Sequence, residues 1–162
     1  MNTRINAVES KEKTGEEFVH LHVHTDNTIG HSTIRIPELI SRLSDLKMHA
    51  VAITDNGTLS GVPDLFYYIG SYNMKPIIGC ELNIAPEGMF KKQPKEEYRN
   101  IILLAKNRQG YQNLCKLVSL GYLKAFRDRP LIDKKILKIH HEGLICLSNY
   151  LNAEPHRHLL KG

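Results

Sequence analysis

FVHLHVHTDNTIGH, residues 18–31, decides how the rest of the chain is read. Val19, Leu21 and Val23 alternate with His20, His22 and His24, so in an extended strand the aliphatics take one face and the imidazoles the other. Neutral imidazole is the commonest metal ligand. Residues two apart on a strand can converge on one ion at its C-terminal end. His22 and His24 are therefore the leading metal candidates, and His31, in the loop that follows, is a third. The competing reading is a set of surface or hydrogen-bonded histidines in a chain that has nine of them.

The chain of 162 residues is 41% hydrophobic and 24% charged, which suits one soluble globular domain with a core of its own. No apolar run approaches the roughly 18 residues needed to span a membrane. Residues 1–17 are polar and charged without the apolar stretch of a secretory signal, and read as a disordered leader. Three cysteines, Cys80, Cys115 and Cys146, lie far apart in apolar runs, so buried reduced thiols and a cytoplasmic location are expected. The net charge of +5 permits an acidic partner. Two lysine clusters, Lys91, Lys92 and Lys95, then Lys134, Lys135 and Lys138, lack the interleaved aromatics of a nucleic-acid platform and read as solvated surface.

Outward from the histidines, the apolar pattern switches between strand and helix. Pro37 stands near a helix start, where its missing N–H costs little, and Ile36, Leu39, Ile40, Leu43 and Leu46 recur at helical spacing. AVAIT, residues 50–54, reads as a buried strand ended by the turn signal Asp55-Asn56-Gly57. An amphipathic stretch from Val62 to Tyr72 precedes the strand PIIGCELNIA, residues 76–85, and a charged loop covers residues 86–97. A strand from Asn100 to Ala105, helices at 109–125 and 133–139, the strand GLICLS at 143–148 and a last helix at 154–160 complete the pattern. Strand followed by helix, repeated, predicts a mainly parallel sheet covered by helices.

In such folds the ligand site lies at the C-terminal ends of the strands. That rule gathers His22, His24, Asp55, Asn56, Glu81, Asn100 and residues 148–150 at one end of the sheet. Two histidines and a carboxylate suffice for zinc with an open position. Glu81 closes the apolar run IIGC, where a carboxylate is costly unless it is paired or ligating. It reads as a metal ligand, with a salt bridge to a lysine or arginine as the plainer alternative. Asp55 is expected to hold an imidazole or a turn N–H. His140 and His141 are expected to cap a helix C-terminus, and His156 and His158 have no assigned role.

FVHLHVHT, RIPELI, AVAITDNGTLSG, KPIIGCELNIAP, ILLAKNRQGYQNLCKLVSLGYLKAF and EGLICLS, in that order, resemble the N-terminal PHP (polymerase and histidinol phosphatase) domain of bacterial DNA polymerase III alpha subunits. The resemblance covers residues 18–162. It implies an α/β fold, a (β/α)7-like barrel, here truncated to about five βα units because a (β/α) barrel needs about 200 residues or more. The open sheet edge left by truncation would need a cover. A homodimer or the remainder of a longer polypeptide would supply one.

The family pattern places up to three metal ions on an HxH motif, an Asp or His shortly after it, the His of TDH, the Glu of GCE, a His before LLAKN, a Cys or His after EGLI, and a distal Asp and His. This chain matches at His22, His24 and Glu81, and has His31 where many polymerase members carry Asp. It departs at Asn56, Asn100 and Tyr150. An amide is a weakly basic oxygen donor and a poor replacement for imidazole. The expectation is weak metal binding, at most one zinc or manganese ion on His22, His24 and Glu81, no full trinuclear cluster, and little or no hydrolysis.

The function implied is that of a structural module in DNA replication. It would support the rest of the polymerase alpha subunit and dock the proofreading exonuclease subunit, meeting DNA only indirectly. The alternative is a metal-dependent phosphoesterase or 3′–5′ exonuclease using a His/His/Glu-bound ion. The nucleotidyltransferase reaction of a DNA-directed DNA polymerase belongs to the family's later palm domain, whose carboxylates are not part of the resemblance.

Overall fold

The computed structural model describes residues 18–91, 94, 98–126 and 129–148. The expected leader at 1–17, the last helix with His156 and His158, Lys92, Lys95 and Tyr150 lie outside the described residues. Among the described residues nine elements follow in order: α1 (Ile36–Asp45), β1 (Ala50–Ile53), α2 (Val62–Ile69), β2 (Lys75–Ile84), β3 (Arg99–Ala105), α3 (Arg108–Ala125), β4 (Leu131–Ile132), α4 (Lys134–Ile139) and β5 (Leu144–Ser148). Among the described residues, no helix is long and apolar enough to cross a membrane.

Helix α1 begins with Pro37 in its first turn and buries Ile36, Ile40 and Leu43, one stripe at a spacing of four and three. Glu38 in the first turn and Arg42 in the last both complement the helix dipole. The helix closes with two capping bonds, Lys47 N–H to Ser44 and Met48 N–H to Leu43, each 2.9 Å, with Lys47 in the left-handed region at φ 56°. The apolar stripes of α1 and α2 pack on Val51 and Ile53 of the wholly buried β1. A second core joins Cys80 and Leu82 of β2, Leu103 of β3, Leu114 and Leu117 of α3, and Ile132 of β4.

The sheet runs β1-β2-β3-β5, with β4 also paired to β2. Pairings β1–β2 and β2–β4 are parallel, but β2–β3 and β3–β5 are antiparallel, so the sheet is mixed and not mainly parallel as expected. The reason lies in the connection. A parallel return needs a crossover of a dozen or more residues, usually a helix, whereas among the described residues no helix lies between β2 and β3. The chain turns back and pairs six residues in register, Gly79 with Leu104 through Ile84 with Arg99.

The histidine stretch lies along β1, but it does not become the regular strand expected of it. Its one bridge is His20 with Val51. Ala52 N–H reaches the His20 carbonyl at 2.9 Å, while Thr54 N–H reaches that of Val23 at 2.8 Å. Three steps on one side thus face two on the other, which breaks the ladder as a bulge does. The Thr54 hydroxyl takes up the freed Val23 N–H at 3.0 Å. Leu21, placed by alternation on the buried face, is exposed.

Helix α3 is capped by Asn107, whose side chain accepts the Gly110 N–H at 2.9 Å. Its first turn lies directly on the backbone at Gly143, so a methyl on Gly110 would fall onto the Gly143 carbonyl. Asp133 caps α4 through the Ile136 N–H at 2.9 Å, and His140 closes that helix, with the His141 ring on the Lys138 carbonyl at 2.8 Å. The expected cysteine burial holds for Cys80 alone. Cys115 is half-buried and Cys146 is exposed, because β5 is the last strand in the sheet order and pairs only with β3 among the described residues.

Candidate metal centre

Three backbone pairings and one side-chain tether bring the centre together. Parallel pairing sets β1 beside the first half of β2, and beyond β1 the bridge between Asn56 and Glu81 continues the contact, with Glu81 N–H on the Asp55 carbonyl at 3.1 Å and Gly57 N–H on the Glu81 carbonyl at 2.7 Å. The antiparallel β2–β3 pair then sets the start of β3, with Asn100 opposite Asn83, beside the end of β2. The turn after His24 is fastened to the end of β1 by Asp55. Its Oδ1 accepts the Thr25 N–H at 2.6 Å and the Thr28 hydroxyl at 2.7 Å, and its Oδ2 accepts the Thr25 hydroxyl at 2.7 Å. Asp55 thus holds a turn N–H, one of the two roles expected of it, and the hydroxyls complete its coordination.

At the centre, Nε2 of His22 and Nε2 of His24 each lie 2.9 Å from Oε2 of Glu81 and 3.2 Å from each other. Three donor atoms in a triangle of that size fit one ion. A tetrahedral zinc with bonds of about 2.0–2.1 Å keeps its ligands about 3.3 Å apart. The donor chemistry agrees, since two imidazole nitrogens and one carboxylate oxygen leave a fourth position open. Hydrogen bonds alone satisfy the triangle less well. Each Nε2 carries at most one hydrogen, so two hydrogens must serve three close edges.

The other carboxylate oxygen is already engaged. Oε1 of Glu81 accepts the amide of Asn56 at 3.2 Å and the amide of Asn100. Burial pushes the Glu81 carboxyl up, but the hydrogen bonds from His24, Asn100 and His22 outweigh it and hold the group below its ordinary value. The hydrogen bond to Glu81 raises His24 against the opposing effect of burial. Cys80, next in sequence to Glu81, is not part of the cluster. Burial pushes its thiol well up, and its Sγ–H points to the Asp55 carbonyl at 3.2 Å.

Of the four metal candidates, the structure brings together His22, His24 and Glu81 and leaves His31 outside. His31 is exposed and lines a neighbouring cleft of about 420 Å³ with Asn56, Tyr122, Phe126 and Arg129. Two contributors were not anticipated. Asn83 donates its amide to Oδ1 of Asn56 at 3.2 Å and accepts from the Arg129 guanidinium at 3.4 Å. Asn83 was findable: it stands two residues after Glu81 on a strand and so shares its face. Arg129 was not, because nothing in its neighbourhood in the sequence marks it.

A profile of the PHP domain family matches residues 20–162. The chain is 41% identical over 139 residues to DNA polymerase III subunit alpha of Chlamydia muridarum, covering 84% of this chain and 11% of that protein. It is 43% identical over 135 residues to DNA polymerase III subunit alpha of Borreliella burgdorferi, covering 81% of this chain and 12% of that protein. The chain therefore spans about a ninth of the length of these curated relatives. Among solved structures, an amidohydrolase from Chromobacterium violaceum aligns at 16% identity with a TM-score of 0.47, over 64% of this chain and 32% of that one. By the match across residues 20–162, the chain belongs to the PHP domain family.

Proposed function

We propose that this chain serves a replicative DNA polymerase III alpha-type subunit as a structural PHP module, supporting the polymerase core and docking the proofreading exonuclease, with a cation pocket reduced to one ion. The observation that carries this reading is the engagement of Asn56 and Asn100 with Glu81. Both stand where the family pattern has imidazoles, and both spend their amides on a carboxylate that a second ion would otherwise share. Among the described residues β5 pairs with β3 alone, and a strand with one free edge suits a module continued by the remainder of a polymerase subunit. Co-purification of the chain with a proofreading exonuclease subunit, weakened by substitutions on the module's surface, is the expected result. Failure of the two to associate at micromolar concentrations overturns the docking role.

The geometry of the triangle favours a second reading, a metal-dependent phosphoesterase or 3′–5′ exonuclease. A divalent ion bound by His22, His24 and Glu81 would supply charge stabilisation to a phosphoester and acidify water. The protein's own contribution would be the buried second half of β2 and a Glu81 carboxylate held in place by the amides of Asn56 and Asn100. Zinc- or manganese-dependent cleavage of a 3′-labelled oligonucleotide, lost in His22→Ala, would displace the structural reading in favour of this one.

A further inference from the structure

The hydrogen bonds around Glu81 have a direction. Carboxylate oxygens only accept and a guanidinium only donates, so any amides strung between them must all face the same way. Asn56 must turn its NH2 to Oε1 of Glu81, which leaves its carbonyl oxygen facing Asn83. Asn83 must then present NH2 to Asn56 and its own oxygen to Arg129. The observed contacts follow that order at 3.2, 3.2 and 3.4 Å. Asn100 adds a second amide donor to the same oxygen from β3. Glu81 and Asn83 are both almost completely buried, which limits competition from water at those two members.

We propose that the Arg129–Asn83–Asn56 relay, together with Asn100, positions Glu81 as a one-oxygen ligand and thereby selects a four-coordinate ion, zinc, over manganese. With Oε1 held by two amides, only Oε2 faces the imidazoles. A carboxylate so pinned cannot chelate an ion through both oxygens or swing to bridge two ions. Zinc accepts two nitrogens and one oxygen in a tetrahedron, while manganese prefers more oxygen ligands in an octahedron. Arg129, Asn83, Asn56 and Asn100 are positioning residues, since none of them contributes a donor atom to the His22–His24–Glu81 triangle. This inference rests on the one-ion pocket proposed above.

The test is competition of zinc and manganese for the full chain against a chromophoric chelator, with the visible spectrum of the cobalt-substituted protein as a geometric readout. Wild type is expected to bind one zinc and to give the intense bands of tetrahedral cobalt. Asn83→Asp keeps the side chain's size but removes the donor that orients Asn56, and Asn100→Ala removes the second donor from a half-buried position. Each is expected to lower zinc affinity 10- to 100-fold, as loss of groups supporting a ligand does. Each is also expected to narrow the zinc-to-manganese ratio and weaken the cobalt bands. Should Asn83→Asp fail to fold, Asn100→Ala carries the test alone. Wild type that binds no zinc overturns the one-ion pocket and the relay together. Zinc binding abolished by His22→Ala but unchanged in ratio and spectrum by Asn100→Ala overturns the relay and leaves the pocket standing.

Discussion

Asn100 stands opposite Asn83 in the antiparallel β2–β3 ladder, and its amide reaches diagonally across the pair to Oε1 of Glu81. Diagonal neighbours on one sheet face lie within reach of an extended side chain. A histidine at position 100 would aim an imidazole at the same space, and one at position 56 would approach from the end of β1. Restoring both is therefore expected to rebuild donors for further metal. In elemental analysis of protein purified without chelator or affinity tag, the double variant Asn56→His/Asn100→His should rise from one zinc per chain to two or more. His22→Ala should fall to none. A double variant that stays at one equivalent would mean that the two asparagines are not what limits the site.

The metal-free protein should be most stable in mildly acidic solution. Glu81 is held below its ordinary value of 4.5 by hydrogen bonds that outweigh burial, so its contribution is present above 4.5 and lost as pH falls through the lowered value. His24 is raised above its ordinary 6.5 by its bond to Glu81, so its contribution is complete below 6.5 and lost as pH rises through the raised value. The two coexist between 4.5 and 6.5. Urea midpoints of chelator-treated protein are expected to drop from about pH 5.5 to about pH 9, and to drop less in His24→Gln. Identical pH profiles for the two proteins would show that the pair contributes nothing.

Asp55 should matter more to the fold than its place in a turn suggests. Its buried carboxylate satisfies one backbone N–H and two hydroxyls of the turn that follows His24. Asp55→Ala leaves all three without that partner, at an expected cost of about 3 kcal/mol in urea unfolding. Asp55→Asn keeps an acceptor for Thr25 N–H and Thr28 and can donate to the Thr25 hydroxyl, so its cost should be nearer 1 kcal/mol. Similar losses in both variants would place the contribution in shape and not in hydrogen bonding.

What the sequence made legible divides along physical lines. Helix α1 and strands β1 and β2 announce themselves because apolar spacing and Pro, Gly and Asp punctuation report local geometry directly. Strand β4 does not, since two residues, Leu131 and Ile132, are too short to carry a period. Strand direction was also hidden: it depends on where the 85–98 connection leads, and an apolar run looks the same in either direction. Residue type, the two-residue spacing of the histidines and the placing of sites at strand ends mark His22, His24 and Glu81 as a constellation. His31 was marked on the same grounds, yet the turn pinned by Asp55 leaves it in the adjoining cleft. The spacing of Asn83 from Glu81 puts the two on one strand face, but the part its amide plays is legible only once its neighbours fix which way it points.

The end of α1 offers the most direct gain in stability. Lys47 occupies the left-handed position of a helix-closing motif in which Met48 N–H caps Leu43 and Lys47 N–H caps Ser44. A residue with a Cβ pays about 1–2 kcal/mol for that conformation, whereas glycine adopts it freely. The exposed lysine returns part of this by placing its charge at the helix C-terminus, roughly 0.3–1 kcal/mol. Lys47→Gly should therefore stabilise the chain by about 0.5–1 kcal/mol, a rise of about 1–4 °C in melting temperature. Lys47→Ala, which loses the charge and keeps the Cβ, should be slightly less stable than the parent. If glycine and alanine shift the melting temperature alike, the strain at position 47 is not what governs this helix end.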